Sequence, residues 1–254
     1  MSRSLSEQVV VVSGAGRGLG AAIATAFARE GAQVVVNYRA SRAQAEALAA
    51  TLGARAVALQ ADVRDASQVG AMFDTVERTM GPVTTVVHNA LADYRFNGDA
   101  RDTIATLTPA KLLEQTNTAC VGALTLLQRA VPAMAQAGFG RVITIGSNLV
   151  QNPVVPYHDY TAAKSALLAF TRTAAAELGP RGITVNMVSG GLLRTTDASA
   201  ATPDAVFDLI AANTPLRRVT TPDELADTVL FFASPWARSV TGQNLIVDGG
   251  LVFG

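Results

Sequence analysis

The sequence is poor in cysteine, histidine and lysine, and these shortages exclude several kinds of site. Its 254 residues include one cysteine, Cys120, so neither an internal disulfide nor a cysteine-based zinc site can form. With two histidines, His88 and His158, we expect no metal centre. Only two of the 20 basic residues are lysines, Lys111 and Lys164. GC-rich coding explains this bias, but it also draws attention to each lysine.

The chain also lacks an excess of charge of either sign. Twenty basic residues balance 20 acidic ones, and hydrophobic residues make up 49% of the chain. A nucleic-acid partner would need a basic face, so we expect none. No apolar run reaches the ~18–20 residues that span a bilayer, and Met1–Gln8 lacks the apolar core of a signal peptide. We therefore expect a soluble, cytoplasmic protein with a sizeable core and no membrane partner.

Short β-branched runs alternate with longer Ala-rich stretches along the chain. Most runs are continuously apolar, which predicts strands buried on both faces. The alternation predicts a single α/β domain, 1–254, with a doubly wound parallel sheet of seven strands and helices on both faces. The predicted strands are Val9–Val12, Val34–Val36, Ala56–Leu59, Val83–Val87, Arg141–Ile145, Ile183–Val188 and Asn244–Val247. The predicted helices are Leu19–Glu30, Arg42–Leu52, Ser67–Met80, Pro109–Ala137, Tyr157–Leu178 and Pro222–Ser234.

Two longer connections, 92–108 and 189–222, interrupt this alternation. In open α/β sheets, ligands bind beyond the carboxyl ends of the strands. Long connections at that edge are candidates for substrate walls or lids, with ordinary surface loops as the alternative. We expect 189–222 to form a substrate lid.

A glycine-rich loop follows the first predicted strand. After Ser13, three residues separate Gly14 from Gly18, and Gly20 opens an Ala-rich helix. Glycines allow the backbone to approach a pyrophosphate, and the helix N-terminus supplies free N–H groups. This spacing resembles the classical branch of the short-chain dehydrogenase/reductase family. The resemblance implies a Rossmann-type fold and a nicotinamide dinucleotide bound by Gly14, Arg17, Gly18, Leu19 and Gly20.

The end of the second predicted strand bears on the choice of dinucleotide. NAD-binding relatives usually carry an acidic residue there, which accepts hydrogen bonds from the ribose. This chain has Asn37, Tyr38 and Arg39 at that point. Without a carboxylate, Arg39 and Arg17 can pair with a 2′-phosphate, which predicts NADP rather than NAD. The alternative is that either arginine points into solvent.

Further motifs of the family follow the later strands. Asp62 and Val63 match its adenine-contacting pair, and Asn89 and Ala90 match its motif after the fourth strand. Leu91 replaces the glycine that usually follows this motif, which makes the cofactor path less regular there.

The motif after the sixth strand departs from the family pattern. Gly190 replaces the usual proline before Gly191, and Thr195 matches a residue that contacts the nicotinamide carboxamide. Because glycine loosens this turn, we expect the lid to be mobile over 192–212 without ligand. The segment 241–250 matches the family's last strand and tail, so the resemblance covers essentially the whole chain.

Ser147, Tyr160 and Lys164 match the family's catalytic set. Tyr160 follows Ser147 by 13 residues, and Tyr160 and Lys164 are four apart and so share a helix face. A phenol with a pKa near ~10 is a poor acid at neutral pH. We expect the Lys164 ammonium to lower the pKa of Tyr160 and to hydrogen-bond the nicotinamide ribose. Tyr160 is then the general acid for a ketone, and Ser147 holds the carbonyl oxygen.

Many classical members add a helix asparagine to this set. Registering Gly122 with the family pattern puts Ala119 at that position, whereas Asn117 lies two residues earlier, about 200° around a helix. Either the helix is locally offset, or this chain lacks the asparagine. We favour the loss.

The expected function is NADPH-dependent reduction of a ketone to a secondary alcohol, as in 3-oxoacyl-[acyl-carrier-protein] reductases. The substrate is a 3-oxoacyl thioester or a similar apolar carbonyl compound, free or carrier-bound. The alternatives are an alcohol, sugar or steroid dehydrogenase, or a dinucleotide-sensing protein without turnover. Family members commonly form tetramers, so we expect a homotetramer. The apolar residues expected near the substrate are Leu149, Val150, Val154, Val155, Tyr157, Leu192, Leu193 and Phe207. Tyr94, Arg95 and Phe96 are expected to shape the mouth of the pocket.

Overall fold

A computed structural model describes residues 3–92, 94 and 96–253. Seven strands form one parallel sheet in the order β3-β2-β1-β4-β5-β6-β7. The strands are β1 (Val9–Val12), β2 (Gln33–Tyr38), β3 (Ala56–Gln60), β4 (Thr85–His88), β5 (Gly140–Ser147), β6 (Ile183–Gly190) and β7 (Asn244–Val247). From β1 the chain adds strands first toward one edge of the sheet, as β2 and β3, and then toward the other, as β4 to β7. Open α/β sheets bind their ligands at such a switch in strand order, here between β1 and β4. The predicted Rossmann-type fold is confirmed.

Helices cover both faces of this sheet. They are α1 (Gly18–Arg29), α2 (Arg42–Leu52), α3 (Ala66–Thr79), α4 (Pro109–Thr116), α5 (Gly122–Ala137), α6 (His158–Leu178), α7 (Asp204–Asn213) and α8 (Pro222–Ala233). Alternate residues of β1 belong to different cores. Val10 and Val12 pack with residues of α1 and α8, whereas Val9 and Val11 pack with residues of α3, α5 and α6. Burial on both faces explains why this strand is continuously apolar.

Two features differ from the sequence prediction. The connection 189–222 contains α7, which buries Phe207 but otherwise keeps most of its residues near the surface. Such a helix shows little apolar periodicity, so the pattern does not reveal it. The predicted helix over 109–137 is interrupted by a π turn, Asn117–Val121, which joins α4 to α5.

Among the described residues, the continuous helical stretch Pro109–Ala137 is long and apolar enough, by length and composition alone, to cross a membrane. Its mean hydropathy reaches 1.2 over an 18-residue window, but half of that window is buried inside the protein. Leu126, Ala130 and Met134 of this stretch belong to the core beneath the sheet. This pattern is that of a core helix.

Candidate active site

A large cavity lies at the carboxyl ends of the strands, beside the switch between β1 and β4. Its volume is about 570 Å³. Gly14 lines it after β1, Tyr38 at the end of β2, and Asn89 after β4. Gly146 and Gly190 line it from the ends of β5 and β6. The sheet therefore gathers residues far apart in sequence around one cleft.

The glycine loop forms one end of this cavity. Gly14 and Gly18 have φ angles of +63° and +55°, which only glycine adopts without strain. Gly20 allows a close approach, because a Cβ there would lie 2.6 Å from Nδ2 of Asn89 and still closer to the Gly14 carbonyl oxygen. No side chain caps the N-terminus of α1. The first-turn N–H groups are thus positioned for an anionic ligand.

A buried histidine ties this loop to the π turn. Ser13 Oγ accepts hydrogen bonds from the backbone N–H groups of Asn89 and Ala90, both at 3.0 Å. Its own hydrogen is left for Nδ1 of His88, at 3.2 Å. Nε2 of the ring then carries its hydrogen and donates it to the Ala119 carbonyl oxygen, at 2.9 Å. Burial lowers the pKa of His88 to about 4, so the imidazole is neutral at ordinary pH. The sequence reasoning missed this link, because its two ends lie in distant segments.

The position of Asn37 corrects the sequence prediction. Its side chain is buried, and Nδ2 donates to the carbonyl oxygens of Leu59 and Ala61 at 3.3 and 3.1 Å. Successive side chains of a strand point to opposite faces. Tyr38 therefore lines the cavity instead, at the point where an acidic residue would meet a ribose.

Arg17 and Arg39 line the cavity together with Tyr38. Arg17 makes an ion pair with Asp197 at 3.4 Å, but both side chains are more than half exposed. Exposed ion pairs contribute little stability. Arg17 can therefore exchange this carboxylate for an anionic ligand at little cost.

Besides Asn37, three predicted cofactor contacts lie away from the cavity wall. Asp62 is engaged by the Arg64 guanidinium at 2.7 Å, which holds the pKa of this carboxyl below its usual range. Val63 is buried. Thr195 is exposed, and the next residue, Thr196, lines the cavity in its place.

The other predicted cofactor residues lie around the cavity. Those that line it are Gly14, Arg17, Gly18, Leu19, Gly20, Tyr38, Arg39, Asn89, Gly191, Tyr160 and Lys164. Ala90 lies directly behind the loop, with its Cα 3.0 Å from the point where a Gly14 Cβ would stand. Ala40 and Ser41 also line the cavity and were missed by the sequence reasoning, whereas Asp197 and 198–201 belong to the connection 189–222 that was expected to form a lid.

Ser147, Tyr160 and Lys164 come together at the opposite end of the cavity. Ser147 ends β5, and the other two lie one turn apart on α6. The backbone N–H of Leu149 donates to Ser147 Oγ at 3.3 Å, and the Ser147 hydroxyl donates to the Tyr160 oxygen. Lys164 Nζ lies 5.6 Å from the centre of the Tyr160 ring and donates to the Ile145 carbonyl at 2.6 Å. All three side chains are buried.

The pKa values of this set differ from the sequence prediction. Burial raises the pKa of Tyr160 to about 12, although the hydrogen bond from Ser147 opposes this shift. Burial also lowers the pKa of Lys164 to about 8. Water stabilises the phenolate of Tyr160 and the ammonium of Lys164, so exclusion of water favours the neutral form of both side chains. The expected lowering of the Tyr160 pKa by Lys164 is therefore absent from this structure.

Aromatic side chains cover this end of the cavity. The Tyr94 ring stacks on Tyr160, and Phe96 and Leu193 also line the cavity, as predicted for the substrate side. Arg95 lies outside the described residues. Val154, in contrast, is 69% exposed and does not reach the site.

The π turn excludes Asn117 from the site. Asn117 is exposed, whereas Ala119 is buried and directs its carbonyl oxygen to His88. The helix is locally offset, but the offset does not turn Asn117 inward. This placement supports the loss of the helix asparagine.

Comparisons with known proteins agree with this architecture. The profile of a family described as Enoyl-(Acyl carrier protein) reductase matches residues 14–252. The 3-oxoacyl-[acyl-carrier-protein] reductase FabG of Staphylococcus aureus is 34% identical over 247 residues, covering 95% of this chain and 96% of the relative. A short-chain type dehydrogenase/reductase of Picea abies is 33% identical over 258 residues, covering 98% and 93%.

A solved structure extends the likeness to three dimensions. The short-chain dehydrogenase/reductase from Brucella melitensis, titled glucose/ribitol dehydrogenase, superposes with a TM-score of 0.87. It is 27% identical, and the alignment covers 100% of both chains. The glycine loop, the Ser147, Tyr160 and Lys164 set and these matches lead to one conclusion: this chain belongs to the short-chain dehydrogenase/reductase family of oxidoreductases.

Proposed function

We propose that this protein is an NADPH-dependent enzyme that reduces a ketone to a secondary alcohol. The observation that carries the proposal is that Tyr160 and Lys164 line the same cavity as the glycine loop, with Ser147 hydrogen-bonded to Tyr160. Relatives from Staphylococcus aureus and Synechocystis, each 34% identical, are named 3-oxoacyl-[acyl-carrier-protein] reductases. A 3-oxoacyl thioester or a similar apolar carbonyl compound, free or carrier-bound, is the first substrate class to test.

The cavity has the features that a dinucleotide needs. Its volume of about 570 Å³ is within the usual range for ligand sites. The uncapped N-terminus of α1 can receive a pyrophosphate. Arg17 and Arg39 provide cations beside Tyr38, where a carboxylate would repel a 2′-phosphate. These features support NADP over NAD.

The three buried side chains have complementary tasks in this reaction. When bound, the nicotinamide supplies the hydride. The Tyr160 hydroxyl gives its proton to the carbonyl oxygen, and the Ser147 hydroxyl donates a hydrogen bond to the same oxygen, where negative charge develops. The Lys164 ammonium, 5.6 Å from the Tyr160 ring centre, then stabilises the phenolate that proton transfer leaves. Lys164 would also hold the nicotinamide ribose.

We also propose that the chain works as one NADP-binding domain in a cytoplasmic homotetramer. Leu113, Val121 and Leu124 lie in the stretch from α4 to α5, and each exposes more than a third of its surface. An interface between such stretches would cover them. Light scattering after size exclusion measures the assembly directly, and a monomeric mass would contradict this part of the proposal.

The proposed function is tested with purified protein and a carbonyl panel. NADPH oxidation is followed with acetoacetyl thioesters, diketones, ketosteroids and quinones, and NADH is run in parallel. We expect at least one ketone to be reduced with a higher kcat/KM for NADPH than for NADH. A ratio below one rejects the NADP assignment. Oxidation of alcohols without reduction of any ketone would favour a dehydrogenase working in the opposite direction.

A further inference from the structure

Three of the chain's four tyrosines gather at the substrate end of the cavity. Tyr94, Tyr157 and Tyr160 pack with Phe96, and we call these four residues the aromatic cluster. Their ring centroids lie 5.1 to 5.7 Å apart. Aromatic residues make up only 6% of the sequence. The concentration of rings at this one place is thus a local feature of the site.

Hydrogen bonds from two directions hold the aromatic cluster in place. The Tyr157 hydroxyl accepts from the backbone N–H of Gly98 at 2.9 Å. The backbone N–H of Phe96 donates to the Ala198 carbonyl oxygen at 3.0 Å. The segment after β4 is therefore tied both to the start of α6 and to the segment after β6. The aromatic cluster is therefore held by hydrogen bonds that join the segment after β4, the start of α6 and the segment after β6.

Tyr94 presents its ring face to Tyr160. The two rings stack with centroids 5.1 Å apart and an interplanar angle of 25°, whereas Phe96 meets Tyr160 edge-on at 86°. The Tyr94 hydroxyl donates to Asp159, whose carboxylate also accepts the backbone N–H of Tyr160 at 2.8 Å. Asp159 thus contacts both Tyr94 and the backbone of the tyrosine on which Tyr94 stacks.

Charge is distributed unevenly along the cavity. Among the described residues that line it, the charged ones are Arg17, Arg39 and Asp197, of which Asp197 pairs with Arg17 of the glycine loop, and the buried Lys164. The described part of the aromatic end offers ring faces, ring edges and Leu193. A charged group on a substrate would find no counter-charge among these residues, whereas a flat uncharged group would find stacking partners.

We propose that Tyr94 determines substrate specificity and that this enzyme prefers compact ketones whose carbonyl is conjugated to a planar ring. The inference rests on the proposed ketone reduction and narrows its substrate class. To reach Tyr160 and Ser147, the substrate carbonyl must pass beside Tyr94. When a substrate with a planar ring binds, the Tyr94 ring gives up its stacking on Tyr160 and stacks on the substrate ring instead. When a saturated group of similar size binds, Tyr94 also gives up its stacking on Tyr160 but gains no stacking contact in return.

Two ketones that differ only in ring saturation test the proposal. We compare phenyl methyl ketone with cyclohexyl methyl ketone, using kcat/KM with NADPH and, independently of turnover, direct binding by calorimetry. We expect the wild type to favour the phenyl compound by about two- to twelvefold in both measurements, the range that one aromatic pair provides. Tyr94→Leu should abolish this preference, whereas Tyr94→Phe, which keeps the ring, should retain it.

Trp236→Leu is the matched control for the loss of an aromatic ring, because Trp236 is 80% exposed and lies outside the cavity. It should leave the preference unchanged. Equal binding of both ketones by the wild type, or a preference that survives in folded Tyr94→Leu, would overturn the proposal. If no ketone is reduced, the proposed function fails, but the binding comparison still decides the role of Tyr94. Circular dichroism checks that each variant is folded.

Discussion

The two ends of the cavity differ in charge and in exposure to solvent. At the glycine-loop end, backbone groups and the exposed Arg17 and Arg39 face the ligand site. At the other end, Tyr160 of the aromatic cluster and Lys164 are buried, and loss of water shifts the pKa of both. The first end offers charge and N–H donors that water still reaches. The second end excludes water, and the lower local dielectric makes hydrogen bonds and charge interactions there stronger.

Because of this difference, the two ends are suited to different tasks. Water-accessible charge suits recognition of a phosphate, because both partners can exchange ion pairs at little cost. A dry site suits proton transfer, because the donors around the reacting oxygen are preorganised and need no solvent rearrangement. The two ends should therefore respond separately to mutation.

The largest effect is expected at the buried end, from Tyr160→Phe. The ring and its packing remain, but the proton donor is lost, so kcat for ketone reduction should fall by about 10²- to 10⁴-fold. NADPH affinity, measured by fluorescence titration, should stay close to that of the wild type. Tyr157→Phe is the matched control, since it removes a hydroxyl that contacts only the Gly98 N–H among the described hydrogen bonds. Similar kcat losses in both variants would contradict the assigned role of Tyr160.

At the charged end, Arg39→Ala should separate the two dinucleotides. Loss of a charge-assisted hydrogen bond of about 1.5–3 kcal/mol corresponds to a drop of roughly 10- to 100-fold in kcat/KM for NADPH. NADH lacks the 2′-phosphate, so its kcat/KM should change little. Arg55→Ala, which removes an exposed arginine that donates to the Ser6 carbonyl, serves as the control. An equal loss with both dinucleotides would show that Arg39 does not recognise the 2′-phosphate.

Gly20→Ala tests the close packing that shapes the glycine loop. The added Cβ would crowd Asn89 Nδ2 at 2.6 Å and the Gly14 carbonyl oxygen, so we expect a loss of about 1–3 kcal/mol in unfolding free energy. Gly70→Ala is the matched control, because Gly70 lies in α3 with no atom within 4 Å of its Cβ position. That change should instead stabilise the protein by about 0.5–1 kcal/mol. Urea unfolding measures both, and equal stability of the two variants would refute the packing argument.

His88, which ties the glycine loop to the π turn, predicts a pH dependence of stability. Its folded pKa of about 4 lies below the unfolded value of about 6.5, so protons bind the unfolded chain more tightly. The stabilisation is fully present above pH ~6.5 and is lost as the pH falls toward 4, by about 2 kcal/mol between pH 7 and 5. In His88→Asn this slope should shrink. Parallel stability curves for the wild type and the variant over that range would rule out His88 as their source.

Much of this architecture could be predicted from the sequence, because it is local. The helix Arg42–Leu52 and the strand Asn244–Val247 have the bounds that their apolar patterns indicate. The placement of Ser147, Tyr160 and Lys164 near one another also follows from motif spacing on a strand end and a helix. In each case the signal lies within a few residues.

The remaining features depend on contacts between distant segments. Whether Asn37 or Tyr38 faces the cavity depends on the registration of β2 against β3, where Asn37 meets the Leu59 and Ala61 carbonyl groups. The inward-facing threonine, Thr196, depends on the conformation of a turn. No motif specifies these orientations.

The sequence by itself determined the sheet, the glycine loop and the identity of the three residues at the buried end, because periodicity and spacing are properties of short stretches. Only the tertiary structure decided how dry that end is. Tyr94 comes from the segment after β4 and stacks on Tyr160 of α6, and this contact helps to exclude water from Tyr160. Burial is a sum over neighbours from the whole chain, so the pKa values of Tyr160 and Lys164 follow from the fold and not from their spacing.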